Sequence, residues 1–160
     1  AVLAETDLVL GQGKILIIGT PGQPLPVDPN HTLIDAQGRI LTPGLVDLHS
    51  HLGVYSWPGL DASADGNEMT NPTLPQVRAL DAINPNDDAI PLSVAGGVTT
   101  AHILPGSGNV MGGEGTVIKL RGDTVQDMLL CDAPRTLKMA CGENPKRVYG
   151  SRQELPQSRM

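Results

Sequence analysis

Thr42-Pro43-Gly44-Leu45-Val46-Asp47-Leu48-His49-Ser50-His51 reads as a strand with an abrupt start and a polar end. Proline and glycine close off whatever precedes it. Leu45 to Leu48 are mainly apolar and predict a buried strand, and the polar residues sit at its C-terminal end. On a strand, residues i and i+2 point to the same face. His49 and His51 therefore converge about one strand pitch apart, a separation that one metal ion spans. Neutral imidazole nitrogens suit Zn²⁺ and similar ions, and the C-terminal ends of parallel strands are where α/β folds build their sites. Two histidines are not a complete site, because a catalytic zinc takes three protein ligands and an open position. Asp47 lies on the same alternate face, where it reads either as a hydrogen-bond partner of a ligand or as a satisfied buried carboxylate.

Downstream, Asn86 or Asp87 caps a predicted helix that runs to about Ala95, with Pro91 tolerable only near its first turn and Gly96-Gly97 ending it. Val98–Leu104 follows as a second buried strand, rich in β-branched residues. Strand, helix, strand is the pattern of a parallel sheet. Between the two strands, residues 52–85 show no period and hold Tyr55, Trp57 and four prolines. A structureless stretch of that length is uncommon in a compact domain and is usually functional or mobile. Upstream, Asp7–Leu10 and Lys14–Ile18 are apolar runs broken by Gly11-Gln12-Gly13, a hairpin signal. Thr32–Asp35 and Arg39–Leu41 read as two more short strands around Ala36-Gln37-Gly38, and residues 19–29 as a loop with four prolines. This β-rich start suggests part of a sandwich.

Beyond the second strand, Pro105 to Gly115 reads as a glycine-rich βα connection. It lacks the Gly-Lys-Ser/Thr ending of a P-loop and the spacing of a dinucleotide fingerprint. Asn109 and Glu114 are the residues there that could contact substrate. Thr116–Leu120 reads as a strand, Thr124–Leu130 as a short helix capped by Thr124, Thr136–Ala140 as a helical turn and the last ten residues as a tail. His102 lies on the second strand, pointing at the same centre as His49 or serving structure, and His31 lies in a loop. Cys131 and Cys141 fit no zinc knuckle and no disulfide framework, although one bridge between them is open.

The 160 residues carry a net charge of −6. It is −3 over residues 1–60 (2 basic, 5 acidic), −5 over 61–100 (1 basic, 6 acidic) and +2 over 101–160 (8 basic, 6 acidic). No strongly basic segment points to nucleic acid. No apolar run reaches the ~18 residues of a membrane helix, and no signal peptide is evident at Ala1. Asn30-His31-Thr32 is a glycosylation sequon, which leaves a secreted and a cytoplasmic location both open. There is no Phe, so the core rests on Val, Ile, Leu and Ala or is completed by something else.

The segment 42–51 resembles the Pro-Gly-φ-φ-Asp-x-His-x-His signature of the metal-dependent amidohydrolase superfamily (φ apolar). Asp7–Leu10, Ile17-Ile18-Gly19 and Leu33–Arg39 look like the sandwich strands that precede its barrel, and Gly96–Thr100 looks like its second barrel strand. His49–Pro58, Ala64–Glu68, Leu104–Asn109 and Ala140–Gly150 are similar to imidazolonepropionase-like members, whose fungal representatives are often filed with N-acetylglucosamine-6-phosphate deacetylase-like carbohydrate esterases. The resemblance implies the N-terminal part of a (β/α)₈ barrel hydrolase, with residues 1–44 as a sandwich segment and 45–160 as the first part of an incomplete barrel. It implies one or two divalent ions, usually zinc, that activate water against an amide, cyclic amide or ester bond. His49 and His51 would be ligands. A Lys or Glu, two further His and an Asp would come from later strands, and the general base from outside this chain. His102 and Glu114 match no ligand position. The substrate would be a small amide, ester or amino-sugar-like molecule, with Trp57 among its contacts. The rest of the barrel or a second copy would be the partner, because a full barrel takes ~250 residues and the fragment alone should be inactive. Two other readings stand beside this one. One is a non-catalytic binding module, lectin-like or oligomer-forming, in which Tyr55 and Trp57 stack on a sugar. The other is an independent small α/β domain.

Overall fold

The structure, a computed structural model, describes residues 2–26 and 28–159. Ala1, Val27 (within the proline-rich loop) and Met160 (in the tail) lie outside the described residues. The chain forms two compact units, residues 1–43 and 44–160.

The first unit is built on a hairpin of β1 (Leu8–Gly11) and β2 (Lys14–Ile18). They pair antiparallel, with Leu8 opposite Ile18 and Gly11 opposite Lys14. The turn residues Gln12 and Gly13 both have positive φ, 52° and 71°, as a two-residue hairpin turn needs to match strand twist. The carboxylate of Asp7 accepts the amide of Leu25 at 3.0 Å and ties the following loop back. The two strands expected at 32–35 and 39–41 do not form. The intervening turn does, with Arg39 N–H donating to Ala36 O at 2.9 Å and Gln37 N–H to Asp35 Oδ1 at 2.8 Å. Its flanks have no ladder partner among the described residues, and Leu33, Ile34, Ile40 and Leu41 stay exposed.

The second unit is a mixed α/β layer. Its sheet contains β3 (Leu45–Ser50), β4 (Val98–Ile103), β5 (Met111–Lys119) and β6 (Thr136–Met139), in that order. The β3–β4 pair is parallel, and the other two pairs are antiparallel. Helix α1 (Ala89–Ala95) makes the crossover between β3 and β4, as the strand–helix–strand pattern predicts. Pro91 falls in its first turn, where its missing N–H costs nothing. Asp88 is the cap residue by position, but the carboxylate that accepts the Ala89 N–H is that of Asp87, at 2.9 Å. Helix α2 (Val125–Met128) carries a capping box between Thr124 and Asp127. Helix α3 (Glu143–Gly150) follows β6.

Three expectations change here. The glycine-rich stretch is only partly a loop, because Met111–Gly115 is the first half of β5. Gly113 sits at a register shift in β5 with φ +118°, a conformation that a side chain strains. Thr136–Ala140 is not a helical turn: Thr136–Met139 is a strand, and the nearby helix starts at Glu143. The tail is not free either, since Arg152 donates to Met69 O at 2.6 Å and lies over the Tyr149 ring.

The core lies between the sheet and α1, with Ala101, Ile103 and Ile118 against Val54, Ile90 and Met128, all aliphatic or Met. The stretch 52–85 is organised by two short 3₁₀ turns (Asp61–Ser63 and Ala79–Ala82) and by buried Asp87. Asp87 accepts N–H groups from Gly53 and Trp57, each at 2.8 Å, as well as from Ala89. It thereby fixes the loop after His51 to the start of α1. β3 is not buried as expected. Leu45 and Val46 are more than half exposed, and Leu48 is 75% exposed. The strand lies at the sheet edge with β4 as its neighbour, which leaves its apolar side chains largely exposed.

Candidate metal centre

His49 and His51 lie at the C-terminal end of β3, with ring centroids 5.4 Å apart and ring planes at 82°. The strand register shifts between Asp47 and Ser50, and Asp47 Oδ1 accepts the backbone N–H of His49 at 3.0 Å. This local bend re-aims the polar end of the strand. Ser50 then faces Ile103 on the buried side, and its neighbours 49 and 51 face away from the core.

The hydrogen bonds decide which nitrogen of each ring is bare. His51 Nδ1 is 2.9 Å from Leu104 O. A carbonyl only accepts, so Nδ1 carries the proton and Nε2 presents its lone pair. His49 Nε2 lies 3.0 Å from the amine of Lys138, so the ammonium donates and Nε2 accepts. His102 Nδ1 donates to Leu48 O at 3.2 Å, and its Nε2 accepts from the Thr136 hydroxyl at 2.8 Å. All three rings share one tautomer, but His102 has both nitrogens engaged. His51 Nε2 has no hydrogen-bond partner among the described residues, and His49 Nε2 has the Lys138 amine.

Electrostatics follow from the same contacts. The Lys138 cation is the main cause holding the His49 pKa below its ordinary value, with desolvation and His51 adding to it. Lys138 is 8% exposed, and burial pushes its own pKa down. Tyr55 stands edge-on to His51, with centroids 5.7 Å apart, and its hydroxyl accepts from Asn67 Nδ2. Burial pushes the Tyr55 pKa up.

Of the other residues singled out in the sequence, Trp57 is exposed on the loop that Asp87 pins. Asn109 is 1% exposed, and its Nδ2 contacts Glu68 O, Asn71 O and the Tyr149 hydroxyl. Glu114 forms a bidentate pair with Arg135, which lowers its pKa. Cys131 and Cys141 are both free and exposed. Lys138 is the residue that sequence reasoning missed. Its signal was the alternation Thr136/Lys138 in a four-residue run between Pro134 and the Gly142 that precedes α3.

Among the described residues no group of three or more His, Cys, Asp or Glu side chains is placed to hold a metal. The donor chemistry nevertheless fits one. Two imidazoles lie with ring centroids 5.4 Å apart, and the Nε2 lone pair of His49 already accepts a cationic group, the Lys138 ammonium.

No protein-family model matches the chain. It is 40% identical over 164 residues to the amidohydrolase tasK of Hapsidospora irregularis, a match covering 96% of this chain and 17% of that protein. The solved structure of an amidohydrolase from Thermotoga maritima superposes with a TM-score of 0.87 at 45% identity, over 96% of this chain and 39% of that one. The chain belongs to the amidohydrolase superfamily. A further amidohydrolase-superfamily match, to the imidazolonepropionase of Idiomarina loihiensis, is 34% identical over 62 residues, 39% of this chain and 14% of that protein. The chain spans well under half the length of each of these relatives.

Proposed function

We propose that this chain supplies the first ligands of a metal-dependent hydrolase that uses activated water to cleave amide, cyclic amide or ester bonds. The observation that carries the reading is the pair of adjacent imidazoles of His49 and His51, 5.4 Å apart at the C-terminal end of a parallel strand, each with an Nε2 lone pair that its Nδ1-protonated form leaves for an electrophile. His49 and His51 would hold a divalent ion, zinc in our reading, which would supply Lewis-acid activation of carbonyl and water. The residues of this chain have distinct parts. Leu104 O holds the His51 ring by its Nδ1–H, as carbonyl partners of metal-bound histidines do. Lys138, 3.0 Å from His49 Nε2, would add a third donor once it gives up its proton. It stands in the part that the superfamily resemblance gives to a Lys or Glu. Tyr55 stands edge-on to His51, and with exposed Trp57 it would meet a ring-bearing or amino-sugar-like substrate, the preference expected of a deacetylase-like carbohydrate esterase.

The same reading makes residues 45–160 the opening of a (β/α)₈ barrel, and residues 1–44, with the β1–β2 hairpin, part of a sandwich. The parallel β3–α1–β4 unit and the exposed Leu45, Val46 and Leu48 support it, since strands and helices of a complete barrel would cover them. The exposure of Trp57 also favours a second reading, a sugar-binding module without catalysis. Zinc loading of the intact protein followed by assays on simple amides and acetylated amino sugars separates the two. Metal-dependent turnover supports the hydrolase, and saturable sugar binding without metal or turnover supports the module.

A further inference from the structure

We propose that His102 is a positioning residue that sets the distance between His49 and Lys138 by tying β3 to β6 across the sheet. Its link to catalysis rests on the metal reading above, but the geometry does not. His102 stands on β4, and its two ring nitrogens reach in opposite directions. Nδ1 donates to the carbonyl of Leu48, the residue before His49. Nε2 accepts from the hydroxyl of Thr136, two residues before Lys138 on the same face of β6. One imidazole therefore grips both strands that carry the centre, each within two residues of the group it brings there.

The grip has to pass over β5, which lies between β4 and β6. The residue of β5 opposite Thr136 is Gly115. A Cβ on Gly115 would lie 2.7 Å from Thr136 Oγ1 and 2.9 Å from His102 Nε2, in the path of the bond between them. It would also lie 2.6 Å from Leu104 Cδ2, on the residue whose carbonyl orients His51. This gives the glycine-rich stretch a physical purpose: position 115 must be empty for a β4 side chain to reach β6. Both ring nitrogens are used, so His102 acts through its neighbours and is not itself a ligand.

The contact between His102 and β6 can be broken without changing side-chain volume greatly. Thr136→Val replaces the hydroxyl with a methyl, Thr136→Ser keeps the hydroxyl, and Gly115→Ala blocks the path. In the intact protein, zinc affinity should fall roughly 10–100-fold in Thr136→Val, as on loss of an outer partner. It should fall similarly in Gly115→Ala and return in Thr136→Ser. In the metal-free protein, reductive methylation of Lys138, read site by site with ¹³C-formaldehyde, should speed up in Thr136→Val and Gly115→Ala and return to the parent rate in Thr136→Ser. Thermal midpoints control for a general loss of fold, which Thr136→Ser would not selectively repair. If the parent protein binds no zinc, the metal reading fails, and the Lys138 methylation rates still decide the positioning role. Parent-like methylation in both Thr136→Val and Gly115→Ala overturns the proposal, as does failure of Thr136→Ser to restore it.

Discussion

The amine of Lys138 donates to Nε2 of His49 across 3.0 Å, although 89 positions separate the two residues in the chain. A cation at that distance disfavours a second positive charge on the ring. Replacing Lys138 with Met should therefore raise the His49 pKa back toward its ordinary value, as read by NMR titration of the metal-free intact protein. Because the folded-state pKa is lowered, the unfolded chain binds this proton more readily. The contribution of His49 to stability is present above the ordinary histidine range and is lost as pH falls through it. Lys138→Met should flatten that acid-side loss. An unchanged His49 titration would show that the contact does not form in solution.

Asp87 is a second test of what shapes the site. Its buried carboxylate accepts three backbone N–H groups, from Gly53, Trp57 and Ala89. Asp87→Ala should leave those donors without an acceptor and cost roughly 3 kcal/mol or more, since each unpaired buried donor costs about 1–3 kcal/mol. Urea denaturation of the intact protein measures this. The loop holding Trp57 should loosen as well, so the emission of Trp57, the sole Trp of this chain, should shift. A stability loss under 1 kcal/mol would mean the carboxylate does not staple the loop.

The legible and illegible parts of this chain divide on local period against long-range pairing. His49 and His51 were readable because two residues apart on a strand is a local relation, and the β3–α1–β4 unit because its punctuation by Asp87, Pro91 and Gly96-Gly97 is local too. Lys138 was not readable. Four residues, Thr136–Met139, are too few to separate strand from helix by period, and only the pairing with β5 makes them a strand. The residues 111–115 look like a loop because glycine normally weakens a strand. Here Gly115 leaves room for a contact between two other strands. Thr32–Asp35 and Arg39–Leu41 have strand-like residues but no partner among the described residues, and a strand is not made by one segment alone.

The core and caps give a further pair of measurements. Ile118 is fully buried in the aliphatic cluster, and Ile118→Ala should cost about 2–5 kcal/mol. Thr124 caps α2 with Asp127 as its reciprocal partner, and Thr124→Ala should cost about 1 kcal/mol. Denaturant midpoints of the intact protein check both. Equal costs for the two would contradict the burial described here.

The most direct test of the metal centre is the divalent metal content of the intact protein beside that of its His49→Ala/His51→Ala form, by elemental mass spectrometry after dialysis. The account predicts one or two ions per chain in the parent, zinc prominent among them, with at least one ion lost in the double variant and hydrolysis lost with it. Equal metal content in both proteins, or undiminished hydrolysis by the parent stripped of metal, would contradict it.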